Sequence, residues 1–196
     1  MTSTTVPIFA DESWRLPSRG TVAMLCLIVG ECAIFTIFVV AYIFYMGRSV
    51  GGPTPRILDI PIFMTVCLLS SSITIMIAEH AIDHGRMKLF AAFWALTMTL
   101  GIVFLIGTGF EWHDLIYNKG LTVSTNLFGT TFYSLVGLHA THVVVGLLML
   151  GIVMVFTLFG RINKSHAYRI KTLALYWHFV DAVWVVVFTV VYIVGR

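Results

Sequence analysis

Glu31, His139, His142, His178 and Asp181 are ionisable residues set deep inside long apolar runs. A charged side chain at the centre of a membrane-spanning helix costs about 2.5–3.5 kcal/mol on insertion scales. Such groups therefore turn to a bundle interior or a wet cavity and pair there. Spacing sharpens the reading. His139 and His142 stand at i and i+3, as do His178 and Asp181, and residues three apart share a helix face. Glu111 sits near one end of its run, and Glu79 and His80 near the end of theirs. Three chemistries fit. In the first, the groups hydrogen-bond one another and set helix register. In the second they hold a metal, as in di-iron bundles, but those carry Glu-x-x-His pairs, and here the pairs are His-x-x-His and His-x-x-Asp. In the third they relay protons, as histidine and carboxylate chains do in membranes. Residue types alone leave the first and third open and fit the second poorly.

The elements that must position them are helices. Five apolar stretches reach the roughly 20 residues that cross a bilayer: Gly20–Gly47, Pro61–Ile82, Phe90–Trp112, Phe128–Phe159 and Leu173–Val194. Runs such as Val143–Met149 and Val185–Val187 do not alternate, which argues against a β-barrel. Backbone groups in lipid must be paired within the segment, so unbroken apolar runs mean helices. The expected fold is an all-α integral membrane protein, a five-helix transmembrane bundle. Residues 1–19 form an N-terminal cytoplasmic segment and 20–196 a single domain. Glu31 lies eleven residues into the first span, roughly 17 Å deep at 1.5 Å per residue and near the bilayer middle.

Composition agrees. Of 196 residues, 59% are hydrophobic and 11% charged, against about 25% charged in a soluble domain. A net charge of +3 is too small for the dense basic face of a nucleic-acid binder. Cys26, Cys32 and Cys67 lie in apolar runs without a CxxC pair and read as small buried hydrophobes. Asp11, Glu12, Arg15 and Arg19 interrupt the first nineteen residues, which is not a cleavable signal peptide. Ser70, Ser71, Ser72 and Thr74, with Gly101, Gly107, Gly109, Gly129, Gly137, Gly146 and Gly151, are expected at helix–helix contacts. Trp14, Trp112, Tyr117, Tyr176 and Trp177 are expected in an aromatic belt. Of twelve lysines and arginines, eight fall on the side of the N-terminus and the second and fourth loops. The positive-inside rule then puts the N-terminus inside and the C-terminus outside.

The motifs resemble a known family. Tyr176-Trp177-His178-Phe179-Val180-Asp181-Ala182-Val183-Trp184 is similar to the C-terminal signature of subunit III of haem–copper oxidases. Phe128-Gly129-Thr130-Thr131-Phe132-Tyr133, followed by Gly137-Leu138-His139-Ala140-Thr141-His142-Val143, resembles the helix before it. Glu31 with Phe35 and Phe38 resembles the helix that carries that family's buried glutamate. Leu68–Thr74, Thr99-Leu100-Gly101 with Phe104, and Glu111-Trp112 also match. Thr108 stands where many members have glutamine. Five spans rather than seven resemble the short bacterial form.

The resemblance implies a core subunit with no catalytic, cofactor-binding or metal residue of its own. Haem and copper would sit in partner subunits of an enzyme that reduces oxygen to water and pumps protons. The chain would pack on oxidase subunit I, near subunit II and a small subunit IV, in the bacterial plasma membrane. It would bind phospholipid in a cleft, no nucleic acid, and support sustained proton uptake. Glu31 would lie near that cleft, with Glu111, His139, His142, His178 and Asp181 as the inward polar and packing set. Cytochrome c is the expected donor. A quinol oxidase subunit III and a nitric oxide reductase accessory subunit are the alternatives. A free-standing membrane metalloenzyme using His139, His142, His178 and Asp181 is the rival of another class. A lone transporter would call for inverted repeats and broken helices, which the chain does not display.

Overall fold

The computed structural model describes residues 18–49 and 51–195. Most of the N-terminal segment, with Trp14 and Arg15, lies outside the described residues. Five helices are long and apolar enough to cross a membrane: α1 Arg19–Tyr45, α2 Ile62–Asp83, α3 Met87–Tyr117, α4 Leu127–Leu158 and α5 Ala167–Phe188. No strand occurs among the described residues. A π-helical turn, Thr189–Val194, continues α5.

Local chemistry explains the ends. The Ser18 Oγ accepts from the Thr21 N–H and opens α1. Asn126 does the same for α4, accepting from the Gly129 N–H at 2.8 Å. Each side chain satisfies one of the amides that a helix start leaves free. Between α2 and α3 the chain reverses through His84-Gly85-Arg86, with Gly85 at φ +69°, the left-handed conformation that closes a helix most cheaply with glycine. Two helices outrun the apolar stretches. α3 continues to Tyr117 and α5 begins at Ala167, because a helix satisfies its own backbone bonds beyond the membrane edge and needs no apolar side chains there.

α2 and α3 form an antiparallel hairpin, α5 packs on α2 and α4, and α1 lies along α4 and α5. The buried centre is aromatic, with Trp94, Phe104, Phe132, Trp177, Trp184 and Tyr192 almost fully enclosed. Trp177 is its hub. A Cβ at Gly101 of α3 would stand 2.7 Å from the Trp177 ring, and one at Gly146 of α4 2.8 Å. The indole thus fills the space two glycines leave open, and its Nε1–H donates to Ser71 Oγ on α2 at 2.8 Å. Trp177 is about 1% exposed and Tyr176 about 3%. Neither belongs to an aromatic belt, a correction to the sequence reading.

α1 is attached by a narrow seam. Thr21, Met24, Ile28, Glu31, Phe35, Phe38 and Tyr42 face the bundle at alternating three- and four-residue steps, the spacing of a coiled-coil stripe. Its other faces, with Val29, Ile37 and Val40, are open. Cys26 and Cys32 lie on those open faces and only Cys67 is buried, so two of the three cysteines are not the core hydrophobes expected. An apolar residue on a membrane helix has no need to face protein, because lipid is as apolar as the core.

Candidate functional site

Among the described residues, ionisable side chains meet polar partners on other helices at three places within the bundle. The first joins α1 to α4. Glu31 Oε2 lies 3.0 Å from His142 Nε2, and His142 Nδ1 is 2.8 Å from the Leu138 carbonyl. A carbonyl only accepts, so Nδ1 carries a hydrogen. The contact at Nε2 then holds one proton, either on the glutamic acid or on the imidazolium, because two acceptors would repel. Both arrangements are neutral overall, which suits a site in lipid. Phe35 covers the imidazole at 4.9 Å between ring centres. Beside the pair is a cavity of about 190 Å³ lined by Leu27, Glu31, Thr141, His142, Val145, Met149 and Tyr176.

The second place joins α2 to α5. Asp181 is about 3% exposed. Its Oδ2 accepts from the Ser72 hydroxyl and lies 3.4 Å from Ser71 Oγ. Ser72 is the principal donor, since the Ser71 hydroxyl sits 2.6 Å from the Leu68 carbonyl. His178 does not touch Asp181 directly. Its Nδ1 reaches Ser72 Oγ at 3.2 Å, and its Nε2 stands 4.0 Å from Glu79 Oε2. The expected i, i+3 pair therefore works through a serine on the neighbouring helix. Ser71 and Ser72, read from sequence as packing positions, are the missed members of this site, and Glu79 is another. The signal for Ser72 was the aspartate itself, because a buried carboxylate demands donors.

The third joins α3 to the end of α5. Tyr192 donates to Glu111 Oε1 at 2.9 Å, and the π-helical turn holds Tyr192 buried at that contact. Beyond the helices, Lys119 gathers the carboxylates of Asp59 at 2.7 Å and Asp114 at 3.1 Å. The Asp59 carboxylate, ahead of Asp114, holds the Lys119 ammonium above its ordinary pKa.

His139 is the exception. It is fully enclosed, and neither ring nitrogen has a hydrogen-bond partner among the described residues. Trp184, Phe104 and Phe35 surround it, with ring centres 5.0, 5.8 and 6.5 Å away. The expectation that each inward group finds a partner fails here. One turn of α4 sends His142 toward α1's glutamate and His139 into an aromatic box.

Among the described residues no three histidine, cysteine or carboxylate side chains converge. His142 and His178 spend their nitrogens on Leu138, Glu31 and Ser72. What the contacts show is hydrogen bonding from helix to helix.

Comparison with known proteins identifies the family. The family model for cytochrome c oxidase subunit III matches residues 21–196. Cytochrome c oxidase subunit 3 of Alkalihalophilus pseudofirmus is 35% identical over 169 residues, covering 85% of this chain and 82% of the relative. The protein of that name from a Bacillus species is 31% identical over 199 residues, covering 100% of this chain and 96% of the relative. A probable quinol oxidase subunit 3 of Staphylococcus saprophyticus is 31% identical, covering 76% of this chain and 75% of that one. All six named site candidates lie within the matched span. With its five apolar helices and this match over nearly its whole length, the chain belongs to the cytochrome c oxidase subunit III family, as a multi-pass membrane subunit of a terminal oxidase.

Proposed function

We propose that this subunit is non-catalytic, and that it stabilises the redox subunits of a cytochrome c oxidase in the bacterial plasma membrane. The observation that carries the reading is how the histidines are used. His142 and His178 are committed to neighbouring helices, and His139 is sealed among aromatic rings. On this reading haem and copper belong to partner subunits. Subunit I packs directly against the bundle, with subunit II and a small subunit IV in the same complex. The open faces of α1, rich in Val29, Ile37 and Val40, take lipid or that partner, and bound phospholipid is expected in the cleft near Glu31. Support for sustained proton uptake is part of the same reading.

The N-terminus is on the inner side. Among the described residues, Arg19, Arg86, Lys88, Arg161, Lys164, Arg169 and Lys171 gather at one end, against Arg48, Arg56 and Lys119 at the other, which the positive-inside rule assigns to the cytoplasm. A quinol donor is the second reading, favoured by the Staphylococcus relative.

The test is a gentle detergent purification through this chain, with a reduced-minus-oxidised spectrum of what accompanies it. Haem A with copper and two larger subunits supports the proposal. Haem of b or o type without haem A moves the assignment to a quinol oxidase. A chain purifying alone with its own metal overturns it.

A further inference from the structure

Ser72 uses its hydroxyl differently from its neighbours. Ser70, Ser71 and Thr74 each donate back to a carbonyl of their own helix, the usual fate of such groups in apolar surroundings. Ser72 instead lies between two titratable side chains, with Asp181 Oδ2 on one side and His178 Nδ1 on the other. His178 in turn faces Glu79 across 4.0 Å, longer than a hydrogen bond but within the swing of a glutamate side chain.

These groups form a descending line. Glu79 is four residues from the end of α2 and Ser72 eleven, so they lie about 6 Å and about 16 Å below that end. Burial is deepest at Asp181. The side chain of His178 is 30% exposed and that of Glu79 20%, whereas Asp181 is 3% exposed. Among the described residues, Asp181 Oδ1 has no partner. Among the described residues His178 is the charged or titratable group that acts on Asp181, and Glu79 faces His178 from α2.

We propose that Glu79, His178, Ser72 and Asp181 form a proton-exchange path that opens at the α2–α3 turn end of the bundle and closes at Asp181. The bonds balance. A proton delivered by Glu79 binds His178 Nε2, forming an N–H bond. The Nδ1–H bond breaks as its hydrogen passes to Ser72 Oγ. The Ser72 O–H bond breaks as its hydrogen passes to Asp181 Oδ2. The carboxylate becomes a carboxylic acid, the serine ends as it began, and the histidine leaves as the opposite neutral tautomer. The path then runs with reversed polarity, Asp181 donating to Ser72 and Ser72 to His178 Nδ1, which returns the proton. Among the described residues the other hydroxyl at Asp181, that of Ser71, is turned to the Leu68 carbonyl, so the path stores a proton and does not pass it through the bundle.

Infrared spectroscopy of the full chain in lipid nanodiscs, with whatever subunits co-purify, tests this. The carbonyl stretch of protonated Asp181 is assigned by its loss in Asp181→Asn and followed after transfer to D2O. The expected result is prompt deuterium exchange in the native protein. Exchange slows by roughly tenfold or more in Ser72→Ala, which removes one hydrogen-bonded link, and recovers in Ser72→Thr, which restores the hydroxyl. His178→Leu slows it likewise. Should the histidine variant fail to fold, the two serine variants decide alone. Equal exchange in the native protein and Ser72→Ala overturns the proposal. So does a band that never exchanges, or one absent throughout about pH 5 to 8.

Discussion

Glu31 of α1 and His142 of α4 stand 3.0 Å apart and share a single proton. This contact is the mid-depth polar tie of a helix that buries only Phe35 and Tyr42 fully. The nearest help is at one end, where Thr21 meets the hydroxyls of Tyr168 and Thr172. Glu31→Ala leaves His142 Nε2 without a partner, at a cost of about 1–3 kcal/mol. The expected outcome is normal initial oxygen reduction with a shorter working life or a lower yield of assembled complex. Glu31→Gln, whose amide N–H can donate to Nε2, retains most of the yield. Turnover followed to inactivation in the three proteins checks this, and loss of haem or copper from an assembled Glu31→Ala complex would contradict a non-catalytic role.

His139 makes the opposite forecast. With no hydrogen bond among the described residues to lose, His139→Leu is tolerated or stabilising, as volume-conserving apolar swaps cost under about 1.5 kcal/mol. The melting temperature in detergent, compared with that of His142→Leu, is the measurement. A larger loss for His139→Leu would reveal a bonded partner inside the aromatic box.

Gly101→Ala and Gly146→Ala each drive a methyl group into the Trp177 ring. That ring is enclosed and hydrogen-bonded, so it has nowhere to move, and overpacking costs about 1–3 kcal/mol. Gly109→Ala meets nothing within 4 Å and gains up to about 1 kcal/mol of helix propensity. Yields of folded protein should rank the three accordingly, and Gly109→Ala ranking lowest would sink the idea.

Trp184 Nε1–H donates to Thr65 Oγ1 at 3.2 Å across α5 and α2. Interhelical bonds of this kind average about 0.6 kcal/mol in membrane proteins. A double-mutant cycle of Trp184→Phe and Thr65→Val, read by thermal unfolding, should return a coupling of that size. Strict additivity would remove the bond from the account of α2–α5 pairing.

Lys119 ties Asp59 and the Ile57 carbonyl to the end of α3. Because Asp59 is 88% exposed, the tie is worth at most about 1 kcal/mol. Its ammonium pKa is raised on folding, so the lysine's contribution is full below its ordinary value of 10.5 and is lost as pH rises through the raised one. The melting difference between native protein and Lys119→Met should stay flat from about pH 6 to 9 and shrink with added salt. A difference that vanished on mild acidification would point to another group.

The sequence determined the number and order of the helices, because a bilayer accepts only long self-satisfied apolar segments. It also marked Glu31, Glu111, His142, His178 and Asp181 as groups needing partners, since the cost of an unpaired charge in lipid is independent of fold. Which atoms met them was decided in three dimensions. Helical period tells which residues share a face, not which helix lies opposite. The tertiary structure alone therefore put Ser72 between His178 and Asp181, Tyr192 on Glu111, and His139 among rings without a partner. For the same reason Trp177, apolar and aromatic like a belt residue, became the hub of the core. Its place depends on Gly101 and Gly146 arriving from two other helices, and only packing brings those backbones close enough.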